Sequence, residues 1–305
     1  MDSTHALHHH NNGEAGKKLR ISIALNFATA LLQIIVGLFS GSLALISDAI
    51  HNFSDVASLL ISYIAQNLAT RGATPSQTFG FRRAEILAAF INASALIGVA
   101  VVMCFVAISR FWQPVAIKST WVFAFAGLGV LVNGLGARLL KPHTHHNLNL
   151  KSAYFHLLAD MTTSIAVMLN AVLIYIFEWA LLDSLLSLGI ALFLVYTAWD
   201  LLMQALRVLM QFSPREISLG EVERCIRQHS AIENAHHLHC WQLTDQQIHL
   251  EAHLDFKEDL PLSEVSKISE EIKTTLEKMG ITHIILQAEI GAEHSKELLS
   301  CGIVA

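Results

Sequence analysis

Residues 48–55 read Asp-Ala-Ile-His-Asn-Phe-Ser-Asp and residues 156–160 read His-Leu-Leu-Ala-Asp, so each stretch places a His four residues before an Asp. Residues four apart lie on one face of an α-helix, about 6 Å apart along its axis. Two helices that face each other would bring two imidazoles and two carboxylates to one point, which is a tetrahedral ligand set that Zn²⁺ takes. The four candidate ligands are His51, Asp55, His156 and Asp160.

A role in helix packing is the alternative interpretation of these polar side chains. Both His-Asp pairs lie inside apolar runs long enough to cross a membrane. An Asp at the centre of a membrane helix costs roughly 3 kcal/mol, so a repeated pair is not retained without a function. The repetition therefore favours an intramembrane metal site.

The composition predicts an integral membrane protein. Of the 305 residues, 53% are hydrophobic and 15% are charged, whereas soluble domains carry about 25% charged residues. The formal net charge of −5 predicts no nucleic-acid partner. The 17 His residues outnumber 4 Cys residues that lack Cys-x-x-Cys spacing, so no disulfide framework is expected.

Six apolar runs predict six transmembrane helices, because a helix of about 20 residues crosses a bilayer. The runs cover residues 21–39, 43–68, 86–108, 121–140, 153–177 and 181–210. They define a transmembrane domain over residues 17–212. The polar residues 1–16, which contain several His, are predicted to form a disordered tail.

The distribution of Lys and Arg predicts that both termini are cytoplasmic. With the N-terminus inside, the outer flanks hold only Arg110 and Lys118. The inner flanks hold Lys17, Lys18, Arg20, Arg71, Arg82, Arg83, Arg138, Lys141, Lys151, Arg207 and Arg215. No organelle-targeting signal is recognised, so we expect the inner membrane of a bacterial cell.

Beyond Pro214 the sequence becomes charged and amphipathic, which predicts a cytoplasmic domain over residues 213–290. Its pattern indicates the order α-β-β-α-β, a small ferredoxin- or metallochaperone-like α+β fold with a three-stranded sheet. Residues 247–256 alternate between apolar and polar side chains, as expected of a strand with one buried face. Residues 291–305 are predicted to be a flexible tail.

The ligand chemistry predicts antiport. Two neutral imidazoles and two ionised carboxylates have a formal charge of about −2, which one divalent cation or two protons would cancel. Metal and protons compete for the same lone pairs. The site could therefore exchange a metal ion for protons. Asp48 lies one turn before His51, and we expect it to orient an imidazole from outside the ligand set; a fifth ligand is the alternative.

Two imidazoles favour Zn²⁺ as the transported ion, whereas an all-oxygen ligand set would suit Mn²⁺ better. A transporter whose main cargo is Cd²⁺, Co²⁺, Ni²⁺ or Fe²⁺ is an alternative. A further alternative is a membrane metal sensor or storage protein that does not transport.

Five further motifs, together with the two His-Asp pairs, resemble the zinc-type members of the cation diffusion facilitator family. The resemblance covers roughly residues 17–290 and implies a homodimeric, proton-coupled zinc exporter with six helices per subunit and a cytoplasmic metal-binding domain. The implied transport ligands are the four named above. The motifs span residues 41–49, 79–86, 147–150, 238–241 and 286–289.

The same resemblance implies that the cytoplasmic domain binds Zn²⁺ near the dimer interface through His236, His253 and Glu289. Some relatives carry another His-Asp pair late in the third strand, where this chain has Leu286 and Ala288. A His-rich loop resembles loops that capture zinc and would raise the local metal concentration. Its histidines are His143, His145 and His146.

An enzymatic function is not expected. The segment His249-Leu-Glu-Ala-His253 is similar to a zinc-hydrolase motif. That motif requires His-Glu-x-x-His on a helix, whereas here the Glu comes one position late and the segment alternates as a strand does.

Overall fold

The structure is a computed structural model that describes the backbone of residues 4–143 and 148–290 and the side chains of residues 20–142 and 150–290. The chain forms two compact units. The first comprises the residues up to Ile64 together with Ile91–Leu202, and the second comprises Ala65–Phe90 and the residues from Met203 onward.

Six long helices contain the apolar runs. They are α1 (Thr4–Ser40), α2 (Leu43–Ala69), α3 (Ala84–Ser109), α4 (Ser119–Leu140), α5 (Leu148–Phe177) and α6 (Leu181–Leu209). Five of them, all except α2, are apolar enough over a sufficient length to cross a membrane among the residues described. Helix α2 has 27 residues, but its Asp, His, Asn and Ser side chains lower its hydropathy. The structure thus gives five candidate spans rather than the six expected.

Helix α1 starts at Thr4, inside the segment 1–16 that was expected to be disordered. Extension of an existing helix fixes one residue for each added hydrogen bond and avoids the cost of nucleation. The apolar part that could cross a membrane is Arg20–Ser40, close to the predicted run.

Helices α4 and α5 lie antiparallel, and glycines of α4 allow their close approach. A Cβ atom at Gly129 would lie 2.9 Å from Ser164 Oγ and 2.8 Å from Gln33 Nε2 of α1. A Cβ atom at Gly136 would lie 3.0 Å from a methyl carbon of Leu157. Small residues at such contacts are typical of membrane helix packing. The contacts place the last turns of α4 at the level of the His-Asp pair of α5.

The buried carboxylate of Asp183, in the first turn of α6, connects the start of α6 with the start of α2. Asp183 accepts hydrogen bonds from Ser42 Oγ (2.6 Å) and from the backbone N–H groups of Leu43 (2.6 Å) and Ala44 (3.3 Å). Arg110 Nη1 lies 3.6 Å from the same carboxylate and donates a hydrogen bond to the carbonyl oxygen of Gly41. The negative charge stabilises the amino end of α2, where the helix dipole is positive.

The second unit contains the predicted α-β-β-α-β order. Its elements are α7 (Leu219–Arg227), β1 (Ile232–Thr244), β2 (Gln247–Phe256), α8 (Leu262–Glu277) and β3 (His283–Glu289). The sheet order is β1-β2-β3, with β1 antiparallel and β3 parallel to β2. The loop from residue 70 to residue 83 and the adjoining ends of α2 and α3 belong to this unit.

The buried face of β2 confirms the predicted alternation, because Leu250, Ala252, Leu254 and Phe256 pack into the core of the second unit. The opposite face is polar, as the alternation predicts, but it is not wholly exposed to solvent. His249 and Asp255 are also buried. Both therefore need polar partners rather than water, and those partners belong to two different clusters.

Candidate metal-binding site

The His-Asp pairs of α2 and α5 come together in the first unit. His156 Nε2 lies 3.4 Å from Asp55 Oδ2 and 3.5 Å from Asp160 Oδ2. His51 Nδ1 lies 3.7 Å from Asp55 Oδ2, and His51 Nε2 lies 3.9 Å from Asp160 Oδ1. Each histidine thus approaches both carboxylates, as the sequence spacing predicts.

These separations fit ligands around a small cation. Tetrahedral zinc ligands about 2.0 Å from the ion lie about 3.3 Å from one another. The observed nitrogen-to-oxygen distances exceed this by only a few tenths of an ångström. Atoms of His51, Asp55 and Asp160 all lie within 4.8 Å of one another. His156 joins this group through its contacts with the two carboxylates.

The polar atoms that face this point lack hydrogen-bond partners. His51 Nδ1, Asp55 Oδ2 and both carboxylate oxygens of Asp160 are buried without a partner in the part of the chain that the structure describes. A buried unpaired polar group costs about 1–3 kcal/mol, and more when it is charged. A bound divalent cation or bound protons would satisfy all of these atoms at once.

Asp48 has a different role from the one expected. Its carboxylate oxygens accept hydrogen bonds from Thr163 Oγ1 (2.8 Å) and Ser164 Oγ (2.9 Å) of α5. Thr163 Oγ1 also lies 2.8 Å from the carbonyl oxygen of Asp160, so the two acceptors share its single proton. Asp48 is therefore occupied by α5 hydroxyls instead of an imidazole, because the rotation of α2 turns it toward α5. Asp48 thus links α2 to α5 beside the His-Asp cluster.

A cavity of about 520 Å³ reaches the cluster from one end of the helices. Asp55 and His156 line it, together with Ser22 near the start of the apolar part of α1, Ser62 near the end of α2, and Ser152 near the start of α5. The side chain of His156 is 47% exposed, whereas that of Asp160 is 1% exposed. A hydrated ion entering this way would meet His156 and Asp55 first and Asp160 last.

The cytoplasmic-domain residues expected to bind zinc also meet. His253 Nδ1 lies 2.7 Å from Glu289 Oε1, and His236 Nε2 lies 3.5 Å from Glu289 Oε2. Ligand atoms of all three residues lie within 4.8 Å of one another. His236 and His253 are register partners on β1 and β2, and Glu289 lies at the end of β3.

A β-bulge shapes this second cluster. Between His236 and His239 the register of β1 against β2 shifts by one residue. His237, within the bulge, has a φ of 51°, a left-handed conformation that few residues other than Gly adopt. The rings of His237 and His253 have centroids 4.7 Å apart. The sequence contains no Gly that would have signalled a bulge at this position.

Asp255 is a functional candidate that sequence reasoning missed. It is buried, and its Oδ2 atom lies 3.4 Å from His236 Nδ1, on the side of the ring opposite to Glu289. A carboxylate at the second nitrogen of a metal-binding His orients the ring and makes it a stronger ligand. The alternation of β2 placed Asp255 on the polar face of the strand but did not indicate that its side chain is buried beside His236.

The His-rich loop lies largely outside the described residues. His145 and His146 fall in the undescribed segment 144–147, and His143 is described only as the last backbone position of a short 3₁₀ helix, Lys141–His143. Metal capture by this loop stays a prediction.

The chain belongs to the cation efflux family of transporters, the cation diffusion facilitators. The family model for the cation efflux transmembrane domain matches residues 19–210, and the model for the cation efflux protein cytoplasmic domain matches residues 214–290. The chain is therefore a multi-pass membrane protein of the zinc-type branch, which confirms the resemblance seen in the sequence. A transporter family is consistent with the expectation that the protein is not an enzyme.

Several relatives are similar over most of their length. A cadmium, cobalt and zinc/H(+)-K(+) antiporter of Bacillus subtilis is 34% identical over 96% of this chain and 95% of its own length. The metal cation efflux system protein CzcD of Cupriavidus metallidurans is 34% identical over 92% of this chain and 89% of its own. The zinc transporter ZitB of Escherichia coli is 30% identical over 80% of this chain and 79% of its own.

Proposed function

We propose that this protein exports divalent transition-metal cations, chiefly Zn²⁺, from the cytoplasm in exchange for protons, through the site formed by His51, Asp55, His156 and Asp160. The single observation that supports this most is the group of buried, unpartnered His and Asp atoms at the meeting point of α2 and α5. The names of the relatives, which include zinc transporters and metal antiporters, agree with this cargo.

Proton exchange follows from the same unpartnered atoms. When the metal leaves, the two carboxylates and two imidazoles remain in a buried place where charge is costly. Protons that bind the freed lone pairs remove that cost. Each release of metal is thereby linked to proton uptake, and each binding of metal to proton release.

We expect zinc movement to depend on an imposed pH gradient. In sealed proteoliposomes loaded with a zinc indicator and a pH indicator, uptake should accelerate when the compartment that receives zinc is more acidic, because protons there displace the ion. The opposite gradient should slow uptake. Zinc flux that is indifferent to the gradient, with no counterflow of protons, would instead describe a uniporter.

We also propose that α2 is the sixth span. The family model for the transmembrane domain covers it, and its ionisable residues Asp48, His51 and Asp55 face the site or α5. With six spans, the excess of Lys and Arg at one membrane face places both termini in the cytoplasm of a bacterial cell. The cavity at Ser22, Ser62 and Ser152 then opens toward the cytoplasm, which is the orientation an exporter needs to load.

The cytoplasmic domain is proposed to bind Zn²⁺ through His236, His253 and Glu289 and to strengthen a homodimer when it does. The support is the convergence of these ligand atoms, the buried Glu289 Oε2 without a hydrogen-bond partner in the described chain, and the dimerising character of the matching family domain.

We expect His253→Ala to remove zinc from the cytoplasmic domain. Equilibrium dialysis of the full chain, with Asp160→Ala as background to silence the transport site, should show bound zinc that disappears when His253→Ala is added. His229→Ala is the matched control, because His229 lies in the same unit but pairs with Glu271. Equal zinc binding in both double variants would refute the assignment.

We expect His51→Asp to change the metal preference of the transport site. The variant has one imidazole and three carboxylates, a harder ligand set that suits Mn²⁺ better. In a competition assay the ratio of Mn²⁺ to Zn²⁺ transported should rise severalfold over the wild type at equal protein. An unchanged order of preference with full transport would mean that His51 does not contact the metal.

A membrane metal sensor or storage protein is the alternative function. The cavity argues against it, because a sensor has no need of an open route to a site shared by two helices. Flux across a membrane separates the two functions directly: a sensor would bind zinc and move none.

A further inference from the structure

A second cavity, of about 440 Å³, lies in the second unit between the α2–α3 loop and the strands β2 and β3. The transport mechanism uses none of its side chains. Its lining includes six residues with basic, imidazole or hydroxyl side chains: Arg71, Thr78, Arg82, His249, Thr282 and His283.

The ionisable side chains that line the cavity are all basic. Two guanidinium groups and two imidazoles line it, and no Asp or Glu belongs to its described lining. His249 and His283 are register partners on β2 and β3, and their ring centroids are 4.6 Å apart. Burial lowers the pKa of His249, and His283, Arg82 and Arg83 lower it further, while Glu251 acts in the opposite direction. Positive groups thus outweigh the nearest acid.

The walls of the cavity are held by specific contacts. Thr74 and Gln77 exchange backbone hydrogen bonds of 3.0 Å, and Arg82 Nη1 donates to Gln247 Oε1 at 2.6 Å. The ring of Phe79 meets His249 edge-on, and Trp241 stacks on the same imidazole. The loop motif Phe-Gly-Phe-Arg-Arg is thereby fixed against the sheet and presents its arginines in a defined place.

The chain also places this loop at the edge of the membrane. The candidate span of α3 begins at Ala84, directly after Arg82 and Arg83, so under the proposed topology we expect the loop to lie at the level of lipid headgroups. Basic pockets at the cytoplasmic ends of membrane helices are suited to anionic headgroups. Arg83 Nε is in addition a buried donor without a partner in the described part of the chain.

We propose that this cavity binds a phosphate-bearing anion, supplied by a phospholipid headgroup or by free phosphate, through Arg71, Arg82 and the histidine pair. Guanidinium groups form paired, charge-assisted hydrogen bonds with phosphate oxygens. The hydroxyl group of Thr78 can donate to a remaining oxygen, whereas that of Thr282 donates to the carbonyl oxygen of Ile248. The bound anion would neutralise the cationic walls and bridge the loop to the sheet within this unit.

A metal ion is a poorer occupant of the cavity. Two histidines could ligate zinc, but the cavity supplies no thiolate or carboxylate from its described lining. Two arginines beside the imidazoles would repel a divalent cation. The same arrangement attracts an anion, because every ionisable group in the wall is neutral or positive.

The test uses the full-length protein in detergent and native mass spectrometry. Phosphatidylglycerol, phosphatidylcholine and inorganic phosphate are added separately. We expect phosphatidylglycerol to be retained in preference to phosphatidylcholine, and Arg71→Gln/Arg82→Gln to weaken that retention about tenfold or more. Competition by inorganic phosphate would identify free phosphate as the source, and its absence would identify the lipid headgroup.

The matched control is Arg224→Gln/Arg227→Gln, which removes the same charge from exposed positions on α7 and should leave retention unchanged. His283→Gln provides a milder second variant on an exposed strand position and should weaken binding with little risk to the fold. Equal retention of phosphatidylglycerol by the wild type and by both cavity variants, or no preference over phosphatidylcholine, would overturn the proposal. Zinc flux is not part of the readout, so the result is independent of the transport function.

Discussion

Zinc export should fall to the level of protein-free vesicles in the Asp160→Ala variant, more than about a hundredfold below the wild type. Loss of an outer partner of a metal site already costs about 10–100-fold, and Asp160 lies in the ligand set itself. Its two oxygens approach both histidines, and neither oxygen has a hydrogen-bond partner in the described chain. No neighbouring side chain can replace that anionic ligand. The measurement is indicator-detected zinc uptake in proteoliposomes.

The control for this experiment is Asp200→Ala. Asp200 also lies in a long helix of the first unit but is exposed and outside the cluster, so it should transport at the wild-type rate. Asp55→Ala should fail as Asp160→Ala does, because Asp55 Oδ2 approaches both imidazoles. Wild-type flux in either ligand variant, at equal protein and with unchanged oligomeric state, would rule out the assigned site.

The Asp183→Ala variant should lose about 3–5 kcal/mol of its free energy of unfolding. The substitution leaves Arg110, whose side chain is only 15% exposed, without its counter-charge. It also frees the hydroxyl of Ser42 and the first N–H groups of α2. The measurement is the thermal or denaturant midpoint of the purified protein in a fixed detergent.

A double variant at Asp183 and Arg110 separates the effect of the lost charge on stability from the effect of lost packing. Asp183→Leu combined with Arg110→Met removes both charges and should recover much of the lost stability, since an uncompensated buried charge is the larger part of the cost. The exposed Asp200→Ala again serves as the neutral reference. A single Asp183→Ala variant as stable as the wild type would show that the ion pair contributes nothing to the fold.

The sequence predicted the elements whose signal is local. The apolar runs lie within α1–α6 and match their ends within a few residues, except that α1 begins well before its run, at Thr4, and the alternation of residues 247–256 coincides with β2. The His-x-x-x-Asp spacing predicted that the four side chains meet on two helices, because helical geometry alone fixes which residues share a face. The resemblance to a family pointed to Glu289, which spacing could not have indicated.

The remaining features depend on contacts between distant segments. Whether Asp48 faces an imidazole or Thr163 is decided by the rotation of α2 against α5, which no local pattern encodes. The burial of His249 and Asp255 depends on which elements cover β2. The bulge at His237 arises from the pairing of β1 with β2, without a Gly to announce it.

The two hydroxyl hydrogen bonds of Asp48 constrain how the transporter can change the side from which its site is reached. A slide of α2 along α5 would break both of these hydrogen bonds and would separate the two His-Asp pairs. Under the proposed function, we therefore expect α2 and α5 to move as one rigid body during transport. The surrounding helices would then tilt about them, so that the metal stays almost stationary while the openings on either side of it exchange.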